Sequence, residues 1–371
     1  MTQTPFEIFA VAPPGLELAL CAEARELGFA DAVAVPGGVT FHGSWPDVWR
    51  ANLALRGAGR VLARVGSFLA FHLAQLDKRS RKFPWGDVLR TDVPVRVEVT
   101  TGKGSKIYHA GAATQRIETA LREEMGITIA ADAPVTLKVR IDDNVVTISV
   151  DTSGESLHKR GHKEAVGKAP MRETLAALFL RQCGYDGHEP VVDPMCGSGT
   201  FVIEAAEIAT GLLPGRSRDF AFMQLASFDA KAFTALRDAT PPHATTCHFY
   251  GSDRDTGAVR NSAANAARAG LTDITTFTHH AISDLQRPEG KPGLVIVNPP
   301  YGARIGNRNL LFPLYGALGQ TLVTRFSGWR IGVITSEAGL AKATGLPFLP
   351  ERTSVPHGGL KVTLFRTGPL K

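Results

Sequence analysis

An acid, a proline and two closely spaced glycines stand together in Asp193-Pro194-Met195-Cys196-Gly197-Ser198-Gly199-Thr200. Val191 and Val192 lead into the stretch, and the apolar run Phe201-Val202-Ile203-Glu204-Ala205-Ala206 follows it. That order reads as strand, tight turn and helix, the opening βα unit of a doubly wound sheet, where ligands bind at the carboxyl ends of the strands. Gly197 and Gly199 let the turn take positive φ and let a ligand lie against bare backbone. There is no Gly-Lys-Ser/Thr, which excludes a P-loop, and no third glycine at dinucleotide spacing. A carboxylate ahead of the turn repels a pyrophosphate and suits a cationic ligand. Taken alone, the stretch fits such a ligand and the plain tight turn of any α/β enzyme about equally.

A second stretch shifts that balance. Gly293-Leu294-Val295-Ile296-Val297 is short and wholly apolar after its glycine, as in a strand buried on both faces. It ends in Asn298-Pro299-Pro300-Tyr301-Gly302. The two prolines stop the strand and stiffen the chain beyond it. Pro299 has no amide hydrogen, so the segment offers acceptors: the Asn298 side-chain oxygen and backbone carbonyls. An exposed Tyr301 would add a flat face. Acceptors beside an aromatic plane suit a planar base bearing an exocyclic amine. The ligand of the glycine turn is then expected to be S-adenosylmethionine, which carries an ammonium and a sulfonium.

Asp-Pro-Met-Cys-Gly-Ser-Gly-Thr together with Asn-Pro-Pro-Tyr-Gly resembles the class I amino-methyltransferases, and more narrowly the THUMP-containing RNA guanine-N2 methyltransferases. Within these the chain looks most like the first half of the bifunctional bacterial enzymes that act on 23S ribosomal RNA; the transfer-RNA guanine-N2 methyltransferases are near relatives, so 23S ribosomal RNA is the expected substrate and transfer RNA the open alternative. The resemblance covers almost the whole chain. It implies S-adenosylmethionine as cofactor, held by Asp193, Met195, Cys196, Gly197, Gly199 and Thr200. It also implies Asp253 at the ribose, Arg254 among the cofactor-binding residues, Asp284 at the adenine, Pro170 packed over the cofactor, and Asn298. The same resemblance assigns catalysis to Asn298, Pro299, Pro300 and Tyr301.

These residues need a sheet to place them. The acid after the second strand of a dinucleotide fold comes about 20 residues beyond the turn. Here Asp253, in His248-Phe249-Tyr250-Gly251-Ser252-Asp253, follows an insertion over Ala209 to Thr246, which argues against a dehydrogenase. Asp255 is expected to cap the helix Thr256 to Ala269. Ile274 to Phe277, Trp329 to Thr335 and a closing hairpin around His357-Gly358-Gly359 supply further strands. The resemblance implies seven, the last antiparallel.

The first half alternates short strands and helices. Phe6 to Val11, a hairpin around Pro36-Gly37-Gly38, and Arg60 to Phe68 outline a small α/β lobe over residues 1–65, which the resemblance implies is the family's ferredoxin-like lobe. Residues 66–156 follow the order of a THUMP domain, with strands on either side of Asp142-Asp143-Asn144, a hairpin signal. Residues 157–371 would hold a connector and a Rossmann-like methyltransferase domain. Basic clusters fall in the first half and the connector: Lys78, Arg79, Arg81 and Lys82; Lys103 and Lys106; Lys159, Arg160 and Lys163. They are expected to touch RNA phosphates, which position RNA and carry little sequence information.

The chain has 371 residues, 44% of them hydrophobic, enough for two or three cores, and a formal charge of +6 that favours a polyanionic partner. Its four cysteines show no Cys-x-x-Cys pair, so neither a zinc site nor a disulfide framework is expected, and a reducing cytoplasm is. The start carries Glu7 and no basic run, unlike a signal peptide, and no apolar run reaches the ~20 residues of a spanning helix. Two other readings compete. An RNA-binding protein with an inactive methyltransferase domain is opposed by intact Asp193, Asp253 and Asn298. A nucleotide-dependent oxidoreductase is opposed by the missing glycine and the long spacing. The two motifs also occur in adenine-N6 and glutamine-N5 methyltransferases, so RNA rests on the first half of the chain.

Overall fold

The structure is a computed structural model and describes residues 5–164, 171–302 and 310–371. In chain order the elements are β1 (Phe6–Val11), α1 (Glu17–Glu26), β2 (Val33–Val35), β3 (Gly38–Gly43), α2 (Trp45–Ala54), β4 (Arg60–Leu69), α3 (Leu73–Arg81), β5 (Val95–Thr101), α4 (Ala110–Met125), β6 (Val135–Asp142) and β7 (Val145–Asp151). Then follow α5 (Glu173–Gln182), β8 (Val191–Asp193), α6 (Thr200–Ala209), α7 (Ala230–Asp238), β9 (Phe249–Asp253), α8 (Thr256–Arg268), β10 (Thr275–His279), β11 (Leu294–Val297), α9 (Leu311–Arg325), β12 (Arg330–Thr335), α10 (Ala338–Ala343), β13 (Thr353–His357) and β14 (Leu360–Arg366). The chain divides into two units. One comprises Met1–Ala12, Cys21–Leu157 and Arg218–Ala239; the other comprises Pro13–Leu20, His158–Ser217 and Thr240–Lys371.

The first unit is built on one sheet of seven strands in the order β2-β3-β1-β4-β7-β6-β5. Alternation decides its two faces. Ile8 and Ala10 on β1, Val61 and Ala63 on β4, and Val146, Ile148 and Val150 on β7 are fully buried. Asp143 and Asn144 take φ of 47° and 62°, the left-handed pair that a two-residue hairpin turn requires, so the sequence signal for this hairpin was sound. The expected boundary between residues 65 and 66 falls inside β4. That strand pairs with β1 on one side and β7 on the other, with only a register shift between Arg64 and Gly66. One sheet therefore runs through both expected lobes.

The insertion also belongs partly here. Trp49 of α2 packs on Phe222, Phe228 and Phe233 at centroid distances of 6.2, 5.8 and 6.4 Å. The Phe222 amide donates to the Thr152 carbonyl at 3.0 Å. Residues 157–371 thus do not form one continuous unit, because an aromatic cluster draws Arg218–Ala239 to the first sheet.

The second unit carries a seven-stranded sheet in the order β10-β9-β8-β11-β12-β14-β13. Strands β10, β9, β8, β11 and β12 run parallel to one another, and β14 runs antiparallel to β12 and β13. Leu294, Val295, Ile296 and Val297 are all fully buried, which is why β11 reads as an unbroken apolar run. A core of β8, β11, β12 and α9 side chains, including Val192, Val295, Tyr315, Leu318 and Val333, supports the carboxyl ends of these strands. Among the described residues, no helix is long and apolar enough to cross a membrane.

Candidate active site

β8, β9 and β11 end at Asp193, Asp253 and Val297, and β8 lies between the other two. Asp193 and Asp253 therefore sit on adjacent strand ends, and Asn298 follows the next strand over. The turn after β8 is held by its own backbone. The Cys196 amide donates to the Ser252 carbonyl at 2.9 Å, and the Gly199 amide donates to the Cys196 carbonyl at 2.8 Å. Gly199 has φ +81°, and a Cβ there would stand 2.9 Å from the Ser262 Cβ of α8. Only glycine satisfies both demands. At Gly197, φ is +54°, and a Cβ would meet no atom within 4 Å, so the turn presents bare backbone to open space.

Two carboxylates stand at the ends of β8 and β9. Asp193 is 2% exposed, and the Met195 amide donates to its Oδ1 at 3.1 Å. Burial pushes the Asp193 carboxyl up to about 8 against that bond, and the Asp253 charge adds to the rise. Asp253 is half-buried; its Oδ2 accepts from the Gly197 amide and its Oδ1 from the Asp255 amide, both at 3.0 Å. The glycine turn and the second-strand acid are thus joined directly. Asp255 caps α8 as expected, accepting from the Gly257 amide at 2.7 Å. Asp284 is exposed on a short turn, Ile282–Asp284, beyond β10. Arg254 is exposed, and its carbonyl lies 3.0 Å from the His279 ring nitrogen. Burial raises the Cys196 thiol well above its ordinary range, so Cys196 contributes backbone rather than a thiolate.

The loop after β11 has a different character. Asn298 Oδ1 is buried and, among the described residues, has no hydrogen-bond partner. A buried acceptor left unpaired costs about 1–3 kcal/mol, which marks a place where a donor is missing. Pro299 is buried, and Tyr301 is half-buried against the core of β11, β12 and α9 rather than exposed as expected. Tyr315 escaped the sequence reading. This fully buried side chain on α9 donates its hydroxyl hydrogen to the Pro300 carbonyl at 3.3 Å. Burial raises its phenol pKa, so it stays protonated and remains a donor.

Three expectations are corrected by burial. Thr200 is 5% exposed, and its hydroxyl is taken up by protein: Lys163 Nζ donates to it at 2.9 Å, and the Met171 carbonyl lies 3.4 Å away. Its hydroxyl is engaged by protein groups rather than left open. Arg160 is 2% exposed with its guanidinium 3.3 Å from Glu204 of α6, and the Lys163 side chain is 8% exposed with its ammonium 2.9 Å from Glu173. Neither is open to a phosphate. Arg81, one of the first basic cluster, meets Asp77, Glu123 and Glu124 at 3.0, 2.6 and 3.0 Å, so its charge is largely balanced. Lys78, Arg79, Lys82, Lys103, Lys106 and Lys159 are exposed. Pro170 lies outside the described residues. No cluster of three or more potential metal ligands occurs among the described residues.

Bare glycine backbone, two carboxylates and an orphaned buried oxygen suit a cationic nucleoside and an amine acceptor. The similarities of the chain agree with that donor set. Residues 160–358 match the family described as RMKL-like, methyltransferase domain, and residues 7–62 match the RlmL ferredoxin-like domain. The chain is 35% identical over 362 residues to the ribosomal RNA large subunit methyltransferase K/L of Syntrophotalea carbinolica, covering 92% of this chain and 51% of that protein. It thus spans about half the length of that relative. It is 30% identical to the putative RNA methyltransferase slr0064 of Synechocystis sp., covering 96% of this chain and 95% of that protein. Among solved structures, SMU.472, a putative methyltransferase complexed with SAH, superposes with a TM-score of 0.86 at 27% identity over the full length of both chains. With the catalytic sheet, the glycine turn and these matches in agreement, the chain belongs to the RMKL-like methyltransferase family.

Proposed function

We propose that this chain transfers a methyl group from S-adenosylmethionine to the exocyclic N2 of a guanine in RNA, with 23S ribosomal RNA as the substrate. The observation that carries the reading is the buried Asn298 Oδ1 at the end of β11, which has no hydrogen-bond partner among the described residues. An aromatic amine brings the N–H donors that this oxygen lacks. Both relatives are named as RNA methyltransferases, which supports RNA, and the one about twice this chain's length is named for the ribosomal large subunit, which supports the ribosomal class. The SAH-bound neighbour supports the cofactor.

Asp193 would face the cofactor's ammonium, and the Gly197 backbone would border its path. Each Asp253 oxygen already accepts one amide and keeps a second lone pair for a ribose hydroxyl. Asp284 would accept from the adenine amine. The cofactor, once bound, supplies an electrophilic methyl on a cationic sulfur.

The guanine amine is a weak nucleophile because its lone pair is delocalised into the ring. Asn298 Oδ1 and the Pro299 carbonyl would accept its two N–H bonds and draw the nitrogen towards tetrahedral geometry, with the lone pair directed at the methyl. Tyr301 would fix the plane of the base, and Tyr315, through the Pro300 carbonyl, would fix the loop. Most of the rate enhancement is then positioning, worth up to ~7–11 kcal/mol for well-aligned reactants. The amine loses its proton after transfer, so no strong base is needed. A target within a helix must first be flipped out, at a cost of a few kcal/mol. The exposed Lys78, Arg79, Lys82, Lys103, Lys106 and Lys159 would hold phosphates.

The test is to give the protein labelled S-adenosylmethionine and RNA from cells that lack it, then digest to nucleosides. Label in N2-methylguanosine supports the proposal. Label in transfer RNA alone keeps the chemistry and moves the substrate, and label only in N6-methyladenosine or in protein overturns it.

A further inference from the structure

The connector before α5 carries charge into a place where charge is costly. Lys163 Nζ stands 2.9 Å from each of three acceptors: Glu173 Oε1, the Met171 carbonyl and Thr200 Oγ1. Those three use all the donors an ammonium has. The Glu173 side chain is 7% exposed and that of Lys163 8%. Thr200 is the first residue of α6, directly after Gly199.

A second route leaves the residue before Lys163. The His162 carbonyl accepts from Arg268 Nε of α8 at 2.8 Å. The same guanidinium donates to Asn265 Oδ1, and Asn265 Nδ2 donates to the Ser198 carbonyl at 3.0 Å, with Asn265 fully buried. Two adjacent connector residues therefore reach both sides of Gly199: Thr200 directly, and Ser198 through Arg268 and Asn265. Farther along α6, the connector's Arg160 meets Glu204.

Stability alone does not call for such an arrangement. A buried ion pair contributes less than apolar residues of the same volume in many cases, because both charges must leave water. What the pair adds is direction: one cation fixes the hydroxyl at the exact start of the helix whose preceding turn offers its backbone to a ligand.

We propose that Lys163 is a positioning residue for the cofactor. Paired with Glu173, it holds Thr200 and with it the Gly197–Gly199 turn in the conformation that receives S-adenosylmethionine. This rests on the reading of that turn as the cofactor site.

The test measures two quantities on the full chain: S-adenosylhomocysteine affinity by calorimetry, and the melting midpoint without ligand. Lys163→Met alone strands a buried carboxylate and is expected to melt early. The double variant Lys163→Met/Glu173→Leu removes both charges and is expected to melt close to the wild type, yet to bind S-adenosylhomocysteine roughly tenfold more weakly. Thr200→Val, which keeps the ion pair, is expected to weaken binding in the same direction, and Thr200→Ser to restore it. If the double variant regains both stability and wild-type affinity, Lys163 serves packing only and the inference falls. If the double variant does not fold, equal affinities for Thr200→Val and Thr200→Ser overturn it, and unequal ones support it. A wild-type protein that binds no S-adenosylhomocysteine overturns the cofactor reading and this inference together.

Discussion

The hydroxyl of Tyr315, buried in α9, donates to the carbonyl oxygen of Pro300 at 3.3 Å. This bond ties the acceptor loop after β11 to the core of the second unit. Tyr315→Phe keeps the ring and its packing and removes the hydroxyl, which also bonds the Thr335 side chain. Such a bond is worth about 0.5–1.5 kcal/mol. Turnover is expected to fall roughly three- to tenfold with cofactor affinity unchanged. Steady-state rates alongside calorimetric cofactor binding check it; a matching loss of affinity would place the effect at the glycine turn instead.

Asp253 anchors the Gly197 amide, and in the proposed function it would also accept from a ribose hydroxyl. Asp253→Ala is expected to weaken S-adenosylmethionine binding by roughly ten- to a hundredfold, the worth of one or two charge-assisted bonds. An unchanged dissociation constant, measured by calorimetry, would mean that another acid holds the ribose.

Asp193 makes apo-protein stability depend on pH. Its folded pKa is raised from 3.8 to about 8, so the folded protein holds a proton that the unfolded chain has released. The contribution is fully present below about pH 4 and is lost as pH rises through 8. Asp193→Asn is therefore expected to melt at higher temperature than the wild type at pH 8, with the gap narrowing towards pH 4. Melting scans without ligand across that range check it. A gap that does not change with pH would show that Asp193 is ionised throughout.

The exposed cations of α3 and its C-terminal cap should act through charge alone. Replacing Lys78, Arg79 and Lys82 together with alanine is expected to weaken RNA binding at low salt. The slope of log affinity against log salt should shrink by ~0.7–0.9 per lost phosphate contact. Arg81→Ala, whose partner acids already balance it, should leave that slope alone. Filter binding over a salt series distinguishes the two, and equal slopes for all the proteins would move the RNA path elsewhere.

Local chemistry made much of this site readable in the sequence. A glycine turn after two valines, an Asn-Pro-Pro after an apolar run, and an Asp-Asn turn between alternating strands each depend on neighbours within a few residues, and each stands where expected. The failures share the opposite property. Arg160 and Lys163 looked like RNA contacts because a basic run is usually solvated, yet their partners, Glu204 and Thr200, lie 44 and 37 residues away. The place of Arg218–Ala239 depends on Trp49, far back in the chain. β4 reads as the end of a lobe until both of its neighbours in the sheet are known. Tyr315 gave no signal because an apolar helix position and a hydrogen-bond donor look alike in a sequence.

Mass mapping of 23S ribosomal RNA, taken from cells lacking this protein and incubated with S-adenosylmethionine and either the wild type or Asn298→Ala, reads the acceptor atom and the role of Asn298 together. The wild type should place a methyl on one guanine N2. Asn298→Ala should place none, while its cofactor affinity stays within about twofold of the wild type, since the lost oxygen serves the acceptor amine. Methylation by Asn298→Ala at the wild-type rate, or a wild-type product other than N2-methylguanosine, would contradict the account.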